Sequence, residues 1–174
     1  MDTIQLSLIL RKDKCTRAVF QRVYRSDKLP ASVLQYPALF MANVDTSDKP
    51  GSHWVAFYFT KEQEGEFFDS YGAPLSKYSG RFTTFLNNNS NQWIFNAVIL
   101  QSIYSKVCGH HCLYFALYRS GQISMSTIVH RFSNSTRKND SLVKRFIEKH
   151  FPISLPKYRT DVNKQRAQAQ HNVQ

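Results

Sequence analysis

The stretch Gln101 to Gly121, QSIYSKVCGHHCLYFALYRSG, constrains this chain more than any other. A polar, loop-like run ends at Val107-Cys108-Gly109, and an apolar run through Leu113, Phe115, Ala116, Leu117 and Tyr118 follows, stopped by Gly121. The pattern predicts a buried helix whose first turn carries Cys108. Unpaired backbone N–H groups and a positive partial charge gather at a helix N-terminus. Both favour thiolate over thiol, so a cysteine there has a depressed pKa and becomes a nucleophile. Gly109 is expected to leave room for a carbonyl to approach the backbone. Taken alone, the same residues also fit an inert cysteine capping a core helix.

A cysteine nucleophile needs a base, and the base an orienter. His53 opens the patterned run GSHWVAFYFT, and Asp69 follows sixteen residues later in EGEFFDSYG. The two runs are aromatic and β-branched, with a charged turn from Lys61 to Gly65 between them, and read as a β-hairpin. Strands in a hairpin lie about 5 Å apart, which puts His53 and Asp69 within reach of each other. On the first strand both faces are apolar, so it is expected at the centre of a sheet covered on both sides. Gln101 is expected at the end of a strand over Trp93 to Leu100, where its amide N–H₂ and the Cys108 N–H would receive an oxyanion.

His53-Trp54 opening an apolar strand, Asp69 closing FFDSYG, Gln101 seven residues before Cys108, and Cys108-Gly109 together resemble the adenovirus-type (adenain-like) cysteine endopeptidases. The order His, acid, Gln, Cys is shared with proteases of ubiquitin-like modifiers, and similar proteins occur in Polinton/Maverick elements. Asp69 is the acid usual in the modifier-specific group; the adenovirus type usually carries Glu. The likeness is strong over Gly51 to Gly72 and Gln101 to Leu113, and fainter over Leu8 to Pro30 and Asn139 to Phe151.

The resemblance implies an α+β fold of the papain-related adenain/ubiquitin-like-protease type, with a mixed central sheet packed against the nucleophile's helix. It implies catalysis by His53, Asp69, Gln101 and Cys108, with Trp54 and Gly109 as substrate-cleft candidates. Implied substrates are proteins cut after small residues, glycine above all, as in viral structural precursors. A deconjugating protease and an inactive basic DNA-binding module remain as rival readings. The chemistry is expected to need no metal or other cofactor. DNA and a peptide are the activators the resemblance implies, but no cysteine lies between Cys15 and Cys108 to tether such a peptide. A monomer in the host nucleus and virion, or otherwise intracellular, is expected.

A single domain over 1–155 and a basic polar tail over 156–174 are expected among the 174 residues. Three cysteines make no disulfide framework. No apolar run reaches the length of a membrane span, and Ile4 to Leu10 is too short for a signal peptide's core. The net charge of +11 suits a polyanionic partner, with basic clusters in Arg11 to Lys28 and Arg131 to Lys149. His110, His111 and Cys112 lack a second ligand pair at matching spacing, so zinc is not expected. Cys112 is expected to pack in the core. Met1 to Leu10 alternates like a strand, but the resemblance implies a helix; a further helix is expected from Asn139 to Phe151, capped by Asp140 or Ser141 and ended by Pro152.

Overall fold

A computed structural model describes residues 1–152. The expected tail over 156–174 lies outside the described residues, as do the last three positions of the expected domain.

The fold is α+β, built on a five-stranded mixed sheet whose order follows the chain, β1-β2-β3-β4-β5. The strands are β1 (Phe20–Arg25), β2 (Ala38–Asn43), β3 (Trp54–Phe59), β4 (Glu64–Phe68) and β5 (Gln92–Phe95). The two outer pairings are parallel and the two inner ones antiparallel. β3 is the central strand, and all six of its residues are buried. Trp54, Ala56 and Tyr58 face one core, and Val55, Phe57 and Phe59 face the other.

The first core lies under helices α1 (Thr3–Lys12), α4 (Cys108–Ser120) and α6 (Thr136–His150), with the short α2 (Thr16–Val19) and α5 (Met125–Val129) beside them. The second core lies under α3 (Gly80–Asn89). There Phe57 meets Phe67, Phe82 and Phe85 at 5.2, 5.2 and 5.4 Å between ring centroids. Across the first core Phe68 stacks on Phe115 at 4.5 Å. That stack holds the end of β4, where Asp69 follows, against the helix that Cys108 begins.

α1 resolves the ambiguity at the N-terminus. Asp2 and Gln5 form a capping box, each side chain satisfying the other's backbone N–H at 2.9 Å. Leu6, Ile9 and Leu10 then point inward, while Ile4 and Leu8 of the strand-like alternation are exposed.

Three expectations need correction. By sequence Asp13 to Pro30 reads as a polar connector, but it contains the strand β1, whose pairing register shifts between Phe20 and Arg22, so no alternation marks it. The strand expected over Trp93 to Leu100 stops at Phe95. Asn96 turns its side chain inward, accepts from the Asp69 N–H at 2.8 Å and donates to the Asp69 carbonyl at 2.7 Å. The side chain thus replaces the next rung of the ladder and frees the chain to leave the sheet. α6 begins three residues before Asn139 and is capped by Ser135; Asp140 lies inside it, and the helix ends at His150.

Phe57→Ala would empty the centre of an aromatic cluster on the buried middle strand. It is expected to cost about 3–5 kcal/mol of folding free energy. Equilibrium urea unfolding measures this, and a loss below about 1 kcal/mol would contradict the packing described.

Candidate active site

The site is assembled at one end of the sheet. His53 stands just before β3, tied in by its carbonyl, which accepts from the Val44 N–H at 3.0 Å. Asp69 stands just after β4. Because β3 and β4 are antiparallel, with Ala56 opposite Phe68, these two flanking residues come together. His53 Nε2 donates to Asp69 Oδ1 at 2.6 Å. A carboxylate only accepts, so this bond assigns the proton to Nε2 and leaves Nδ1 of the neutral ring as an acceptor. The imidazole lies beside the Cys108 thiol, near enough for each to shift the other's pKa. Tyr71 stacks on the ring at 4.7 Å, covering it from solvent.

Asp69 has no solvent exposure. Its Oδ1 also accepts from the Tyr71 N–H at 3.1 Å, and its Oδ2 from the Ala73 N–H at 3.0 Å and the Tyr78 hydroxyl at 2.8 Å. Burial pushes its pKa up, but the bond and charge of His53 together with these donors outweigh it and hold the carboxyl below its ordinary range. Burial opposes charge on His53 as well. The hydrogen bonds to Asp69 and Cys108 prevail and raise its pKa to about 9. Cys108 is the first residue of α4 and is buried. Desolvation raises its pKa, yet His53 and the backbone N–H groups of Trp54 and Gly109 bring it below that of an ordinary thiol. The pair therefore favours thiolate and imidazolium.

Gln101 is buried in the loop after β5 rather than at a strand end. Ser70 carries it there: the Ser70 carbonyl accepts from the N–H groups of Leu100 and Gln101 at 2.9 and 3.0 Å. Ser70 Oγ donates to Gln101 Oε1 at 2.7 Å, which fixes the amide's orientation and leaves Nε2 to donate to Ser105 Oγ and the Ser105 carbonyl, both at 3.1 Å. Gly72, at φ +62°, allows the close approach of this loop: a Cβ there would lie 2.6 Å from the Val98 backbone.

Cys108, Gln101, Trp54, Tyr71 and Ser105 line one cavity of about 540 Å³. Trp54 is both cleft wall and core, its indole donating to the Met1 carbonyl at 3.1 Å. Gly109 does not line that cavity. Its missing side chain makes room for Met1, Trp54 and Leu6, within 3.1 to 3.5 Å of where a Cβ would stand. Cys112, one turn after Cys108, is fully buried, and its thiol donates to the Trp54 carbonyl at 3.2 Å. Desolvation raises its pKa well above that of a free thiol. His111 turns away into a bond with Asp140 at 2.9 Å. Among the described residues no three His, Cys, Asp or Glu side chains gather to hold a metal.

Reasoning from sequence missed Ser70, Tyr71, Tyr78 and Asn96. Ser70 and Tyr71 directly follow Asp69 and could have been found by position. Asn96 and Tyr78 carry no local signal, because their partners are set by tertiary structure.

No family model matches the chain, and no curated protein matches it. Among solved structures it is similar to the ASFV pS273R protease, a selenomethionine crystal structure, at 18% identity and a TM-score of 0.38. The match covers 60% of this chain and 42% of that one. At that distance the likeness carries no argument about the site.

Iodoacetamide labelling of Cys108 is expected to have its midpoint below the ordinary thiol range, and His53→Ala to move it upward, since only the backbone N–H groups of Trp54 and Gly109 then oppose desolvation. An unchanged pH profile in His53→Ala would show that the imidazole does not activate the thiol. Asp69→Asn places an amide donor among groups that all donate. It is expected to lower both labelling at neutral pH and thermal stability, with a smaller effect on labelling than His53→Ala. Cys112→Ala should keep labelling at Cys108 and lose ~1 kcal/mol of stability.

Proposed function

We propose that this chain is a cysteine-type endopeptidase. The observation that supports it best is the buried His53 placed between the Asp69 carboxylate and the Cys108 thiol at the start of α4. A structural histidine needs no such pair of partners, and a structural cysteine does not lie on a cavity wall with its pKa lowered.

In this reading the Cys108 thiolate attacks the scissile carbonyl, forming a C–S bond as the π electrons move onto oxygen. Gln101 Nε2 and the Cys108 N–H receive that oxyanion, with Gln101 exchanging a bond to Ser105 for one to substrate. The tetrahedral centre collapses, the C–N bond breaks, and His53 Nδ1 gives its proton to the departing amine. His53, now neutral, takes a proton from water as that water attacks the thioester; the C–S bond then breaks, the acid leaves, and the Cys108 thiolate and the imidazolium are restored. Asp69 keeps the imidazole oriented throughout and stabilises its charged form.

The resemblance to adenain-like enzymes supports cleavage after small residues, with glycine-rich sites in viral or virus-like precursor proteins as substrates. Asp69 in place of Glu favours a second reading, the processing of a ubiquitin-like modifier. Glycine before the scissile bond suits both, and turnover of a precursor against a modifier fusion separates them. The wild type should cleave a Gly-Gly peptide with a rate that falls as pH rises through about 9, where His53 loses the proton the leaving amine needs. Cys108→Ala should abolish cleavage while leaving the fold intact. Retained cleavage in Cys108→Ala would sink the proposal.

The same resemblance, together with the charge of +11, supports non-specific duplex DNA as a partner. Arg131, Arg137, Lys138, Lys144 and Arg145 line one depression of about 890 Å³ beside α6, well suited to phosphates. Log K for labelled duplex should fall linearly with log salt, by roughly 0.9 per phosphate neutralised. Absence of binding at low salt would refute this role for the patch.

A further inference from the structure

Both residues that flank Gln101 are held from α6. The Leu100 carbonyl accepts from Asn139 Nδ2 at 3.1 Å, and the Ser102 N–H donates to Asp140 Oδ2 at 3.2 Å. The other oxygen of the same carboxylate, Oδ1, accepts from His111 Nε2 at 2.9 Å. His111 has no exposure and stands three residues after Cys108 in α4. Asp140 therefore joins the helix that begins with Cys108 to the loop that carries Gln101. None of Asn139, Asp140 and His111 lines the cleft.

A tie between two helices would need one carboxylate oxygen. Here the second oxygen is given to a backbone N–H beside Gln101, which a role confined to helix packing does not require. An oxyanion donor acts only where its separation from the nucleophile is held, and errors near 1 Å cost about a hundredfold. Ser70 fixes the Gln101 amide from the sheet side; the helix side has Asn139 and Asp140.

Resting on the protease reading above, we propose that Asp140, set by His111, is a positioning residue for Gln101. It holds the backbone of residues 100–102 in register with the first turn of α4, so that the oxyanion donor and Cys108 keep a fixed separation.

The test compares two reactions at Cys108. A peptide aldehyde ending in glycinal adds to the thiol and leaves an oxygen in the oxyanion position, whereas iodoacetamide alkylates the same sulfur without forming one. In Asp140→Asn, aldehyde affinity should fall about 10- to 100-fold, in the range of lost positioning contacts. The rate and pH midpoint of alkylation should stay within about twofold. Gln101→Ala should cost less in the Asp140→Asn background than in the wild type, because the two act through one donor. His111→Leu should resemble Asp140→Asn, and His111→Gln, which restores an N–H donor to the carboxylate, should recover most of the affinity. This histidine pair carries the test if Asp140→Asn does not fold.

Unchanged aldehyde affinity in folded Asp140→Asn would overturn the proposal. So would a parallel loss of alkylation, or strict additivity with Gln101→Ala, either of which marks a merely structural residue. A wild type in which Cys108 takes neither reagent defeats the protease reading, and the proposal with it.

Discussion

A carboxylate with no access to water must find its donors inside the protein, and Asp69 finds four: the His53 imidazole, two backbone N–H groups and the Tyr78 hydroxyl. Meeting that requirement shapes the region. The Asp69–Gly72 turn folds back to supply the N–H groups of Tyr71 and Ala73. The loop beyond it returns Tyr78 to the same oxygen as Ala73. Asn96 then takes both hydrogen-bonding positions of the Asp69 backbone, which ends β5 and sends the chain toward Gln101. The acid at the centre of the site is therefore also what determines the path of the loops around it.

The two cysteines of α4 show how environment decides chemistry. Cys108 and Cys112 lie one turn apart on one helix. Cys108 meets the imidazole, backbone N–H groups and the cavity, so burial is opposed and its pKa falls. Cys112 meets the Trp54 carbonyl and apolar neighbours, so burial is unopposed and its pKa rises. Charge on the sulfur is stabilised where donors converge and penalised where an acceptor faces it.

Much of this site was legible from residue order. A nucleophile before an apolar run, a histidine opening a strand and an aspartate closing the next are local patterns, and antiparallel pairing brings the last two together whatever the rest of the chain does. The central place of β3 was legible for the same reason, since apolar residues on both faces need cover on both. A missing side chain does not say which neighbours it accommodates; at Gly109 these are Met1, Trp54 and Leu6. β1 was missed because a shifted edge strand keeps no alternation.

The hairpin, the central strand and the helix that begins at Cys108 follow from residue order alone, because side-chain periodicity and residue type act over a few neighbours. Where Gln101 points, that Asn96 ends a strand, and that His111 pairs with Asp140 follow from the closed fold. Those outcomes depend on buried polar groups finding partners across long chain separations: 27 residues from Asp69 to Asn96, 31 from Ser70 to Gln101 and 29 from His111 to Asp140. Each group has several partners it could satisfy in principle. Which one it meets is settled when the two cores close and the remaining donors and acceptors must pair within them.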